Sequence, residues 1–288
     1  MSILHIRHRT TYRYSAPVRF GLHRLVLRPR EGHHITVRHH QIIVRPPAAL
    51  TWMTDIFGNH IALAEIGEPG AELMVENIIK LELHNGPADP GAVPQGGCSA
   101  VTLPATWLQY EQEIAAAYAV SAWQEEAHLV SDWMHSLVRP SGMSASGAMQ
   151  ALTAAIHRTI KYRRREEPGV QSPATTLNLG TGSCRDMATL ALEAARSLGL
   201  AARFVSGYLH SSVSAAGHGS THAWVEVYLP DCGWTAFDPT TGSAAGSRHI
   251  ALGVSTHPRG VMPISGTFDS HTGSSLGMNV SLTIQAAA

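Results

Sequence analysis

Three residues far apart in the chain have the types and local settings that acyl-transfer chemistry uses. Cys184 follows the glycine-punctuated run Asn178-Leu179-Gly180-Thr181-Gly182-Ser183 and opens a helix-like stretch that Gly199 stops. At a helix start, unpaired backbone N–H groups and the helix dipole favour an anion, so a thiolate there would be stabilised. The same N–H groups could hold an oxyanion. His222 begins a strand-like run 38 residues on, and Asp238 closes the next one, 16 residues after His222, in Phe237-Asp238-Pro239-Thr240. A four-residue turn, Pro230 to Gly233, would fold these two runs into a hairpin and bring the carboxylate to the imidazole. The result is a nucleophile, a base and a base-orienting carboxylate. Each residue alone also has an ordinary reading. A Cys near a helix start is most often a small buried hydrophobe, His222 is one of 18 histidines, and Asp-Pro-Thr is a common turn.

The elements that must position these residues differ between the two ends of the chain. Up to about residue 85 the signals are strands. Ile6, His8, Thr10, Tyr12 and Tyr14 alternate with Arg7, Arg9, Thr11 and Arg13, Ile35 to Val44 is rich in β-branched residues, and Asp55-Ile56-Phe57-Gly58-Asn59 reads as a turn. Five or more short strands argue for a β-sandwich or partial barrel over 1–85. Residues 86–104 have the Pro/Gly composition of a linker. From 105 to 288 the period becomes helical and then returns to strands. Helices are expected over 106–118, 122–137, 146–162 and 185–198, and strands over 203–208, 222–229 and 234–238. On the His222 strand, Trp224 and Glu226 share its face, while Ala223, Val225 and Val227 point inward. The second part is therefore α+β, helices packed on an antiparallel sheet with C-terminal strands.

Composition removes other classes. The chain has 288 residues with 21 Lys+Arg against 21 Asp+Glu, which argues against a nucleic-acid binder. No apolar run approaches the roughly 18 residues of a membrane span, and the early arginines preclude a secretory leader. Charge is nevertheless segregated. Residues 1–50 carry nine Arg and one acid, while 51–135 carry 12 acids and one Lys. We expect these to form complementary surfaces that meet within the chain or between subunits. Three cysteines, Cys98, Cys184 and Cys232, are too few and scattered for a disulfide framework or a thiolate zinc site, and Cys98 and Cys232 read as incidental in a reduced, cytoplasmic protein. His33-His34 and His39-His40 offer one ring per strand face, so neither pair makes a metal site. Arg163-Arg164-Arg165 runs into Glu166-Glu167 and reads as a solvated, self-compensated stretch.

Around the three candidate residues the chain resembles the transglutaminase-like superfamily. The resemblance is carried by Gly182-Ser183-Cys184-Arg185-Asp186-Met187-Ala188, by Leu198 to Tyr208, by His222-Ala223-Trp224-Val225-Glu226-Val227-Tyr228, and by Gly233-Trp234 with Asp238-Pro239-Thr240. Residues 1–84, with Tyr12-Arg13-Tyr14 and Asp55 to Asn59, resemble the β-rich N-terminal domain of the bacterial branch. The segment Ser255 to Ile264 departs from that branch, because the aspartates usual there are absent. The resemblance implies a papain-like fold and a cysteine peptidase or amidase. Cys184 would be the nucleophile, His222 the general base and acid, and Asp238 the orienting carboxylate, with no cofactor or metal. Asp186 and Trp224 fall on motif positions and read as a second-turn helix residue and a strand aromatic packed beside the site. The implied partner is a peptide or small amide substrate, with no nucleic acid and no membrane; a homo-oligomer stays open. A non-catalytic peptide-binding module and an amine-accepting acyltransferase with the same triad are the alternatives.

Overall fold

A computed structural model of the chain describes residues 2–84, 102–138, 142–165, 167–210 and 220–286. Cys98, most of the expected linker and the loop through residue 219 lie outside them.

The first part of the chain builds two four-stranded antiparallel sheets. Its strands are β1 (Ser2–Val18), β2 (His23–Leu25), β3 (Ile35–Arg45), β4 (Ala48–Thr54), β5 (His60–Ile66) and β6 (Gly70–Leu83). The long strand β1 buries alternate residues, Leu4, Ile6, His8 and Thr10, and leaves Arg7 and Arg9 outside. That is the period of a sheet with one wet face. Leu25, Leu27, Ala62, Ala64, Leu73 and Val75 from the two sheets share one core, which makes this part a sandwich.

The second part opens with helices: α1 (Gln112–Ala119), α2 (Ala127–Leu137) and α3 (Ala145–Thr159). A short strand β7 (Lys161–Tyr162), helix α4 (Pro173–Leu179) and strand β8 (Thr181–Gly182) lead into α5 (Cys184–Ser197). Then come β9 (Ala202–Leu209), β10 (Ser220–Leu229), β11 (Gly233–Asp238), β12 (Ser243–Ala244) and β13 (His249–Ser255). These five form one antiparallel sheet in the order β12-β11-β10-β9-β13. Ala223, Val225, Val227 and Leu229 of β10 face the helices and join Met187, Leu190, Ala191 and Ala194 of α5 in the largest core. Among the described residues no helix is long and apolar enough to cross a membrane.

The chain end corrects one expectation. The sequence places the last strands with the second part, but β14 (Ile264–Ser265) pairs with β2, and β15 (Ser275–Ala286) pairs with β1 from Leu4↔Ala286 to Tyr14↔Ser275. The C-terminus therefore completes both sheets of the N-terminal sandwich and threads the two parts together.

The back of the five-stranded sheet rests on that sandwich. Leu4, Ile6, Ile79 and Leu81 pack against Tyr208, Ile250 and Leu252. The Tyr208 hydroxyl accepts a hydrogen bond from Asn77 Nδ2 at 3.2 Å and meets His8 Nδ1 at 3.0 Å. Burial pushes the His8 ring down to about 4, so this contact is between neutral groups near pH 7. The turn 55–59 makes a second tie. Asn59, fully buried, donates Nδ2–H to Val254 O at 2.7 Å and accepts from Val254 N at 2.9 Å, pairing like an extra strand residue with β13. Its oxygen also accepts from Arg30 at 2.8 Å. Asn59→Ala strands all of these groups. It is expected to lower stability by about 2–4 kcal/mol, read as a shifted urea midpoint with an unchanged slope.

The segregated charges meet within the chain. Arg9 lies directly across from Glu76, and Arg13 from Glu72, in the β1–β6 register. Arg7 and Arg9 share Glu76 at 2.7 and 2.9 Å, Arg24 reaches Asp55 at 3.2 Å, and Arg38 pairs with Glu82. Each exposed pair is worth only about 0–1 kcal/mol. Together they offset part of the positive charge on the sandwich.

Candidate active site

Cys184 stands at the first residue of α5, as the sequence indicates, and it is held there by its neighbours. Ser183 is the N-cap in extended conformation. The Asp186 carboxylate, fully buried in the first turn, accepts from Ser183 N at 2.8 Å and Ser183 Oγ at 2.7 Å through Oδ2. Its Oδ1 accepts from Gln171 N at 2.7 Å and Arg165 Nη1 at 2.9 Å. An acidic group is favoured at a helix N-terminus by the dipole; here it also ties the segment between β7 and α4 to the helix start. Gly182 is required beside it, since a Cβ there would come within 2.8 Å of the Asp186 Cβ. The motif aspartate is thus a positioning group for Cys184. Arg165 is not the solvated residue its sequence context suggests: its side chain is mostly buried on Asp186.

His222 and Asp238 lie where the hairpin reading puts them. β10 and β11 pair antiparallel from Val225↔Phe237 to Leu229↔Gly233. His222 Nε2 lies 2.8 Å from Asp238 Oδ2. The Cys184 side chain lies close enough to the His222 ring to help raise it. With Nε2 turned to the carboxylate, Nδ1 is the ring nitrogen left for the thiol. Cys184, His222 and Asp238 therefore form one continuous chain of contacts. Burial disfavours a charged His222, but the interactions with Asp238 and Cys184 outweigh it and raise the ring to about 10. Burial likewise opposes ionisation of Asp238, yet the hydrogen bonds from His222 and His249 hold its carboxyl well below the usual carboxylate range. The site therefore supports an imidazolium next to a carboxylate at neutral pH.

Trp224 packs as expected, with its ring 6.3 Å from His222 at 29° and 5.1 Å from His249 at 77°. Gly207, opposite His222 on β9, makes room for this: a Cβ would fall 2.2 Å from Ile250 O and 2.6 Å from Trp224. Tyr162 stands near Cys184; burial first, and then the Cys184 charge, raise its phenol.

Two residues were not foreseen. His249, at the start of β13, places Nε2 3.0 Å from the same Asp238 Oδ2. Nothing local marks it among 18 histidines; only the pairing of β13 with β9 brings it in. Cys232, expected to be incidental, is disulfide-bonded, and Cys184 is the free thiol among the described residues.

His222, Asp238 and His249 bring three possible metal-ligand atoms within 4.8 Å of one another. The hydrogen-bond roles fit a proton network better. His249 Nδ1 accepts from Gly246 N at 3.1 Å, so the ring proton is on Nε2, pointing at Asp238. A metal would need that Nε2 lone pair, and metal-bound histidines ordinarily donate through the other nitrogen.

A five-stranded sheet packed on helices, with a thiol at a helix start facing a histidine and a buried aspartate, defines a papain-type α+β protein. Residues 132–239 match the transglutaminase-like superfamily, and residues 4–81 match the bacterial transglutaminase-like N-terminal region. The chain thus joins a transglutaminase-like core to the bacterial β-rich N-terminal part. It is similar to an uncharacterized protein of Mycobacterium bovis, 26% identical with 91% of this chain and 86% of the relative covered. It is also similar to one of Mycobacterium leprae, 23% identical with 97% and 98% covered. The crystal structure of a candidate cysteine protease from Cytophaga hutchinsonii has the same fold, with a TM-score of 0.76, 16% identity, and 100% of this chain and 92% of that one covered.

Proposed function

We propose that the protein is a thiol enzyme, a cysteine peptidase or amidase that cleaves or transfers amide bonds through a thioester on Cys184. The observation that carries the reading is the contact chain from the free thiol of Cys184 through His222 to the buried Asp238. In this mechanism the Cys184 sulfur attacks the amide carbonyl. The first-turn N–H groups of α5, which lack intrahelical acceptors, steady the oxyanion. The C–N bond then breaks as the His222 imidazolium gives its proton to the departing amine, leaving an acyl thioester and a neutral ring. The neutral ring next takes a proton from water, the resulting oxygen nucleophile attacks the thioester, and the C–S bond breaks to give a carboxylic acid. An amine in place of water gives a new amide. Asp238 keeps the ring in the tautomer these steps need.

Incubation with a panel of fluorogenic peptide and γ-glutamyl amides tests this. The wild type should release the amine and accumulate an acyl adduct on Cys184, seen by intact-protein mass spectrometry. Cys184→Ala should do neither, with turnover reduced by at least about 10⁴-fold. Added glycine ethyl ester should divert acyl groups to a new amide if amines reach the thioester. Full turnover by Cys184→Ala would sink the assignment.

A further inference from the structure

Asp238 is shared. Its Oδ1 is fixed by the backbone N–H of Thr240 at 2.8 Å. Its Oδ2 receives two imidazoles, His222 at 2.8 Å and His249 at 3.0 Å, both rings nearly buried. The Gly246 N–H directed at His249 Nδ1 defines His249 as a neutral Nε2–H donor, because a proton on Nδ1 would collide with it. Trp224 packs edge-on to the His249 ring and nearly parallel to His222. The titratable groups facing His222 are Asp238 from β11, His249 from β13 and Cys184 from α5; Tyr162 of β7 neighbours Cys184, and Arg164 and Arg185 act on Tyr162. A carboxylate bound to His222 alone would place more of its charge on that ring and hold its proton more tightly.

We propose that His249 is a positioning residue of this site: it donates Nε2–H to Asp238 Oδ2, takes a share of that oxygen's charge, and so limits how tightly the carboxylate retains the proton on His222. The proposal rests on the thiol-enzyme reading above, and adds a fourth member that acts only through Asp238. Removing His249 should make His222 a stronger base and a poorer acid. His249→Gln, whose amide N–H can reach the same oxygen, should restore the balance.

The test reads the charge beside Cys184 without needing a substrate. Iodoacetate and iodoacetamide alkylate the same thiolate, but only the anion is drawn to an imidazolium. Their rate ratio at Cys184 therefore falls as His222 loses its proton, near the value of about 10 to which the ring is raised. In His249→Phe, and in His249→Asn whose side chain is too short to reach, the midpoint of that fall should move up by about 0.5 pH unit or more. In His249→Gln it should return to the wild-type position. On an amide substrate the two deletion variants should lose about 10–100-fold in kcat with little change in KM. A purely structural role would lower the melting temperature and leave the midpoint in place. An unchanged or lowered midpoint in the folded deletion variant, or a Gln variant that behaves like Phe, overturns the proposal. Loss of the thioester reading is seen separately, as amide turnover that survives Cys184→Ala.

Discussion

Asp238→Asn is expected to keep the fold and lose turnover by about 10³–10⁴-fold. The carboxylate accepts on both oxygens, from two imidazoles and from the Thr240 N–H. An amide can keep an oxygen toward Thr240 only by turning its NH₂ toward the two rings. His222 must then accept at Nε2 and carry its proton on Nδ1, the tautomer that cannot take a proton from the Cys184 thiol. The same substitution should alter the pH dependence of stability. The His222 ring is raised from 6.5 to about 10, so the stabilisation it provides as a cation is complete below pH 6.5 and is lost as pH rises toward 10. Asp238 is lowered from 3.8, so its stabilisation is complete above that value and is lost as pH falls below it. Wild-type stability from this pair is therefore greatest between pH 3.8 and 6.5. Urea unfolding from pH 3 to 10 should show that maximum in the wild type and a flatter profile in Asp238→Asn. A variant with more than a tenth of wild-type turnover would remove Asp238 from the mechanism.

The parts of this site that the sequence reveals are those built from local rules. Glycines and a serine before Cys184, followed by an amphipathic stripe, declare a helix start. A four-residue turn between two alternating runs declares the hairpin that joins His222 to Asp238. The inward set Ala223, Val225 and Val227 follows from the strand period and does join the helix-side core. What stays hidden depends on partners distant in the chain. Arg165 sits in a run of charges and does pair with Glu167 at 3.5 Å, as that run suggests, but its burial comes from Asp186, 21 residues on. His249 enters only because β13 lies beside β9, and Gly207 lets that strand approach closely. The pairing of Leu4 with Ala286 joins the ends of the chain, and no window of sequence contains both.

Asp186 carries the largest structural consequence, because a buried charge is cheap only while its partners remain. Asp186→Ala deletes the acceptor for Ser183 N, Ser183 Oγ and Gln171 N, and leaves the Arg165 guanidinium, only 14% exposed, without its nearest counter-charge. Breaking one side of such a pair costs about 3–5 kcal/mol, more than the pair itself contributes. The urea midpoint should fall accordingly. Because Ser183 caps the helix that begins at Cys184, the folded fraction of the variant should also alkylate more slowly at Cys184 and turn over amides less well. Adding Arg165→Ala to Asp186→Ala separates the two effects. Removing the cation, which then keeps only the exposed Glu167 carboxylate at 3.5 Å, should recover part of the lost stability, a non-additive result expected of contacting residues. It should not recover catalysis, since the Ser183 hydrogen bonds stay broken. Additive losses from the two substitutions would mean that Arg165 finds water on its own, and that Asp186 acts on Cys184 through the helix cap alone.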